Sequence, residues 1–221
     1  MKNIVVFGGG DQAKMIRSIC RSASSSSASK MDSFHIKYYV THETSTRPDF
    51  LQFDVWLEKY SKEFNMGIVA IGDNFNRKMV VDQIKAFHKN FEFIKVIHPS
   101  AVIDSTVKIE VGAVVMAGVV INPDSQIGEH VVVNTGSIIE HDCILQHFST
   151  AAPGCIMGGH VNVGENSFIG LGAKVIQQRV IGKNTVIGAG SVVTSDIPDG
   201  VLAYGNPCKV IRTRAPNEKY L

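Results

Sequence analysis

From Ile121 to Leu145 the chain reads INPDSQIGEHVVVNTGSIIEHDCIL, and an aliphatic residue returns at every sixth position: Ile121, Ile127, Val133, Ile139, Leu145. The same step extends in both directions, from Ile103 to Val193, over sixteen positions. Fifteen of these are Ile, Val, Leu or Met, and the exception is Ala151. Four residues after each stands a second recurring class, mostly small or β-branched, as at Ser125, Ser137, Cys143, Ser149 and Cys155. Gly follows the aliphatic residue directly at Gly128, Gly158, Gly164, Gly170, Gly182 and Gly188, where the pattern predicts a turning backbone that benefits from lacking Cβ. A helix repeats at three and four residues and a strand at two. A period of six fits neither and matches a hexapeptide β-helix, in which each hexad is one short strand plus a corner.

Such a helix is three-sided, so three hexads complete a coil of 18 residues and the sixteen positions give a little over five coils. With stacked strands about 4.8 Å apart the prism stands roughly 25 Å tall. The aliphatic ladder fills the interior, so a ligand has to use the outside. Residues 18 apart are stacked neighbours, and residues six apart lie on different sides. No hexad carries an insertion, so no loop is available to build a site.

The first half reads differently. Strands are expected at residues 3–7, near 35–40, at 67–71 and near 91–97, with helices over 13–21, 53–64 and 77–90. Strands alternating with helices imply a parallel α/β sheet. The run Ser22–Ser29 is low in complexity and predicts a flexible surface loop. The domain junction falls at His98-Pro99, giving residues 1–97 and 98–221.

Bulk properties exclude several classes. A net charge of +2 over 221 residues argues for neither a nucleic-acid partner nor an anionic membrane. Residues 1–95 carry 14 Lys+Arg against 10 Asp+Glu, and residues 96–221 carry 8 against 10, so the mild basic excess lies in the first domain. No apolar run approaches the roughly 20 residues needed to span a bilayer, and MKNIVVFGGG reads as strand and turn, not as a signal peptide. Cys20, Cys143, Cys155 and Cys208 lack metal-site spacing and read as reduced residues of a cytoplasmic protein.

Three motifs carry chemistry. Gly8-Gly9-Gly10-Asp11-Gln12-Ala13 fits G-x-G-x-x-G/A between a strand and a helix. Glycines there admit a phosphate close to the backbone, and the helix N-terminus supplies N–H donors. Fewer than 100 residues make only about one mononucleotide-binding half. That favours a diphosphate-linked ligand over NAD, with a structural turn as the plain alternative. No acidic residue stands about 20 positions on, unless the serine run displaces Glu43 into that role. A second Gly-led turn, Ile71-Gly72-Asp73-Asn74 with Arg77 following, is either a ligand edge or a simple helix cap. In Glu140-His141-Asp142, a histidine outside the core set precedes an acid able to orient its ring. Since 141 + 18 = 159, Gly159 is expected directly above His141, its N–H suited to an oxyanion, and His160 above Asp142. The plain alternative is an exposed surface histidine, because His130, His147 and His160 lie on the same prism. A metal cage needs convergent ligands, and His147, six residues from His141, belongs to another side, so no metal is expected.

Four stretches, Val6–Lys14 (VFGGGDQAK), Ala70–Arg77 (AIGDNFNR), Asn134–Cys143 (NTGSIIEHDC) and Gly205–Arg212 (GNPCKVIR), together resemble the hexapeptide-repeat sugar acyltransferases. Within that family the resemblance is to the bacterial sialic-acid O-acetyltransferase and UDP-4-amino-sugar N-acetyltransferase group, over almost the whole chain. It implies an α/β Rossmann-like half domain that binds a nucleotide sugar, followed by a left-handed parallel β-helix acyltransferase domain with a C-terminal tail. It further implies a homotrimer with sites between subunits, using acetyl-CoA. His141 would be the base that deprotonates the sugar amine, Asp142 its orienting acid and Gly159 the oxyanion donor. CoA would lie near Gly159, Leu171 and Gly172, with its nucleotide end towards Pro207 and Lys209. The nucleotide would rest on Gly8, Gly9, Gly10, Gln12 and Ala13 and near Gly72, Asn74 and Arg77. The group commonly reads G-G-G-G-H-A-K, whereas Asp11 and Gln12 stand here for Gly and His, and Cys208 stands where Ala is usual. The implied reaction is N-acetylation of a UDP- or dTDP-linked 4-amino-4,6-dideoxy sugar in surface-glycan synthesis. The alternatives are O-acetylation of a sialic-acid-type sugar, or nucleotide-sugar binding without catalysis.

Overall fold

The apolar stretch that opens the chain forms β1 (Lys2–Phe7), and its last four residues are all buried. Burial of successive residues means that both faces of the strand are covered, which is why it reads as an unbroken apolar run. The computed structural model describes residues 2–25 and 34–219 and falls into two compact units, Met1–Pro99 and Ser100–Leu221. In the first unit β1 is joined by β2 (Phe34–Thr41), β3 (Phe50–Gln52), β4 (Met66–Val69) and β5 (Glu92–Phe93) in the order β3-β2-β1-β4-β5. Every pairing is parallel. Helices α1 (Asp11–Ser25), α2 (Phe53–Val55, continuing as a wider turn over Trp56–Tyr60) and α3 (Asn74–Phe87) connect the strands. Trp56 is fully buried and stands edge-on to Phe7 at 4.9 Å, its indole N–H donating to the Phe64 carbonyl.

Local expectations needed adjustment. Helix α1 runs on through Ser25, so the first half of the serine run is helical, and residues 26–29 lie outside the described residues. The three-residue strand β3 has no sequence signal of its own, and the expected last strand shortens to Glu92–Phe93 in this sheet. Asp73 caps α3, accepting from the Asn76 N–H at 2.8 Å.

The second unit is a parallel β-helix. The sixteen ladder residues are the second residues of sixteen two-residue strands, from Val102–Ile103 to Val192–Val193. All from Val115 to Val193 are buried. Strands pair with those 18 residues away, as in Ile121↔Ile139↔Met157, and the three faces form three separate sheets. Interior serines close the corners. Ser125 Oγ donates to the Glu140 carbonyl and accepts from the Cys143 N–H one coil on. After Val193 the period breaks, since Ile181↔Ile197 and Val186↔Leu202 are each sixteen apart. Val201–Gly205 and Cys208–Thr213 then close the unit as an antiparallel hairpin.

From Ile109 to Ile187 the left-handed corner residue is the third after the ladder residue, not the first. Glycines directly after the ladder are instead pressed against the next coil: a Cβ at Gly164 would lie 2.5 Å from the Lys183 nitrogen, and one at Gly158 2.7 Å from that of Gln177.

Candidate active site

Each edge of the prism stacks its left-handed corner residues into one column, and the three columns differ in chemistry. One is glycine throughout, Gly118, Gly136, Gly154, Gly172 and Gly190. A second is Gly112, His130, Phe148, Asn166 and Asn184. There His130, 1% exposed, stacks on Phe148 at 5.0 Å, and Asn166 donates to Asn184. The third is Asp124, Asp142, His160 and Gln178, and this polar edge carries the candidate site.

There His141 Nδ1 lies 2.8 Å from Asp142 Oδ2, with the two side chains 52% and 43% exposed. An ionised carboxylate can only accept, so in the neutral ring Nδ1 carries the proton and Nε2 presents its lone pair. The hydrogen bond from His141, reinforced by the nearby charges of His160 and His141, holds the Asp142 carboxyl below the usual carboxylate range. His160 comes from the next coil, its Nε2 3.7 Å from Asp142 Oδ2 and its ring perpendicular to that of His141 at 5.2 Å. Gly159 lies directly over the His141 ring: a Cβ there would stand 2.6 Å from both Cε1 and Nε2. Its N–H makes no hydrogen bond within the described residues. The group at this corner is thus an oriented imidazole beneath an unengaged amide donor. The other prism histidines do not resemble it, since His130 is buried and His147 Nδ1 accepts from the Glu129 N–H.

Leu171 is 59% exposed and precedes Gly172 of the glycine column. It lines a groove of about 280 Å³ with Ala189, Leu202, Arg212, Arg214 and Lys219. Gly159, Gly172, Pro207 and Lys209 do not line that groove, and Lys209 sits exposed on the last strand opposite Tyr204.

In the first unit a cleft of about 520 Å³ opens at the carboxyl ends of the parallel strands, lined by Gly8, Gly9, Gly10, Thr41, His42, Glu43, Phe50 and Phe53 among others. Gly8 takes φ +117°, with the Ala70 carbonyl where a Cβ would be, so no other residue fits there. Gly10 has open space above it. The remaining residues expected at the nucleotide stand elsewhere. Gln12 and Gly72 do not line the cleft, Ala13 is 1% exposed, and Asn74 and Arg77 are wholly buried. The Arg77 guanidinium donates to the carbonyls of Ile71 and Gly72 and to Asn74 Oδ1, so it rivets the turn from inside. Sequence reasoning passed over His42 and Phe53, stacked at 5.3 Å as one wall of the cleft. Neither carries a motif, and only the fold brings them beside the glycines.

No family model matches the chain. It is 35% identical over 167 residues to the GDP-perosamine N-acetyltransferase of Escherichia coli O157:H7, covering 73% of this chain and 71% of that one. It is 56% identical over 52 residues, a quarter of either chain, to the galactoside O-acetyltransferase of Lactococcus lactis. Among solved structures it is similar to a histidine-to-alanine variant of the Caulobacter crescentus GDP-perosamine N-acetyltransferase in complex with CoA and GDP-perosamine. That match has 33% identity and a TM-score of 0.86, over 96% of this chain and 98% of the other. It is similar also to the acetyltransferase domain of PglB from Neisseria gonorrhoeae in complex with acetyl coenzyme A, at 29% identity and a TM-score of 0.81 over 95% and 99% of the two chains. The expected left-handed winding of the prism holds in this comparison.

Proposed function

The chain belongs to the hexapeptide-repeat acetyltransferase family, and we propose that it transfers the acetyl group of acetyl-CoA to the 4-amino group of a nucleotide-linked 4-amino-4,6-dideoxy sugar. The observation that carries this reading is the His141–Asp142 pair under Gly159 on an exposed edge of the prism. His141 Nε2 takes the proton of the amine as its nitrogen attacks the thioester carbonyl. Asp142 holds the ring in the required tautomer and stabilises the imidazolium that forms. The Gly159 N–H, without a partner among the described residues, binds the oxyanion of the tetrahedral intermediate. Collapse of that intermediate expels the CoA thiolate, which takes up the proton held by His141.

The relatives bear on the nucleotide. Two of them are named for GDP-perosamine, so GDP takes precedence over the UDP or dTDP that the sequence resemblance implies. The glycine-floored cleft of the first unit is the part of the chain suited to a sugar nucleotide. The reading includes a homotrimer with CoA along the groove between neighbouring prisms, and a cytoplasmic reaction, where acetyl-CoA and nucleotide sugars are found. Among the described residues no helix is long and apolar enough to cross a membrane.

The test is formation of acetylated product from GDP-, UDP- and dTDP-linked 4-amino-4,6-dideoxy sugars and from free sialic acids, with sedimentation of the protein alongside. Turnover of a nucleotide-linked amino sugar, greatest with GDP, is expected. Turnover of free sialic acids alone would overturn the acceptor, and no turnover with any sugar would leave a binding protein.

A further inference from the structure

The same corner holds a second arrangement that acetyl transfer does not use. His141, Asp142 and His160 each offer one donor atom, all within 4.8 Å of one another, and no other such trio occurs among the described residues. Two imidazoles and one carboxylate form a set that suits Zn²⁺ and similar ions, whereas Mg²⁺ and Ca²⁺ prefer oxygen alone. With metal–ligand bonds of about 2.0–2.1 Å, a tetrahedral site needs donors about 3.3 Å apart. The observed separations bracket that value: 2.8 Å from Asp142 Oδ2 to His141 Nδ1, and 3.7 Å from the same oxygen to His160 Nε2. Small side-chain rotations close the difference.

The backbone beneath is fixed. His160 N–H donates to the His141 carbonyl at 3.0 Å, and Asp142 and His160 occupy successive left-handed corner positions of one column. All three side chains are about half exposed, so an ion can reach them from solvent.

We propose that His141, Asp142 and His160 form a binding site for a divalent transition ion of the Zn²⁺ class, and that occupancy switches acetyl transfer off. The ion takes His141 Nδ1, Asp142 Oδ2 and His160 Nε2. Coordination requires Nδ1 to give up its proton. The proton then resides on Nε2, through solvent exchange, and the nitrogen that has to accept a proton from the amine already carries one. Inhibition thus comes from locking the wrong tautomer, and it needs no blockage of the groove. The inhibition, though not the binding, rests on His141 being the base.

The experiment titrates Zn²⁺ calorimetrically into the full-length protein after chelator treatment, beside the His160→Gln variant, and measures acetylated sugar with and without zinc. Product is measured because the released thiol itself binds zinc. The expected result is one Zn²⁺ per chain with micromolar affinity or better, weakened at least about tenfold in His160→Gln. Zinc should abolish the wild-type reaction, with EDTA restoring it, and any reaction retained by His160→Gln should need at least about tenfold more zinc for the same fractional inhibition. Equal zinc affinity in the two proteins, or no binding at millimolar zinc, would overturn the site. Binding as expected with acetyl transfer undiminished would keep the site and overturn His141 as the base.

Discussion

Gly159→Ala isolates the contact on which the proposed chemistry depends. The glycine has no left-handed φ, so alanine is admissible to the backbone. The conflict is with one side chain: the new Cβ would stand 2.6 Å from Cε1 and Nε2 of His141. Carbon atoms settle about 3.5–4.0 Å apart, so the ring has to retreat by about 1 Å. Because it is half exposed it has room to do so, and the fold should not suffer. The retreat spoils both the 2.8 Å bond to Asp142 and the placement of Nε2. A misplacement of that size costs about 10²-fold, or about 2.7 kcal/mol of barrier. The variant keeps its N–H at position 159, so the loss reports on the ring and not on the oxyanion donor. The assay is steady-state kcat with saturating acetyl-CoA and nucleotide amino sugar, with the thermal midpoint as control. A kcat about a hundredfold lower with the midpoint within about 2 °C is expected. Activity within threefold of wild type would refute the reasoning, since a base so displaced could not still work.

Four further outcomes are expected of the same structure. Asp142→Asn should lower kcat by about 10²–10⁴-fold, because an amide can favour the wrong tautomer of the ring. The folded Asp142 carboxyl titrates below its ordinary value of about 3.9, so its contribution to stability is complete above that pH and is lost as pH falls through the folded value. Wild type should therefore lose its thermal-midpoint advantage over the variant below about pH 4, and an advantage unchanged by acid would contradict the assignment. Ile139→Ala, fully buried between Ile121 and Met157 of the ladder, should destabilise the prism by about 3 kcal/mol in urea titration, and a loss under about 1 kcal/mol would mean the interior can collapse onto the gap. Burial pushes the Cys143 and Cys155 thiols up to about 11 and about 12. Iodoacetamide at pH 8 should therefore leave both unlabelled in the native protein and label them in urea, and rapid native labelling would contradict their burial.

The prism was legible because its interior accepts little but aliphatic side chains, so one class of residue must return at every step of six. The corners were less legible, for a physical reason. Each edge selects its own residues, and the recurrence appears only at 18, as in Gly118, Gly136 and Gly154 or in Asp124, Asp142 and His160. The neighbourhood of His141 followed from that arithmetic, whereas the separation that brings His160 Nε2 within 3.7 Å of Asp142 required coordinates. In the first unit the resemblance puts Arg77 near the nucleotide, but a sequence does not show which way a cation faces. It faces inward, onto the carbonyls of a turn. Strand β3 escaped notice because three residues carry no period, and the serines at 22–25 are helical because α1 continues through them.

The fixed stagger between stacked edges also limits how this gene can lengthen. Duplication of six codons between His141 and Gly159 would leave every aliphatic side chain pointing inward, and the protein would still fold. Everything downstream would nevertheless rotate by one face, and a different residue would roof the imidazole. Duplication of 18 codons restores the face but interposes a layer about 4.8 Å thick. The prism is modular for stability and rigidly counted for chemistry, so growth is tolerated at its ends and forbidden across this one step.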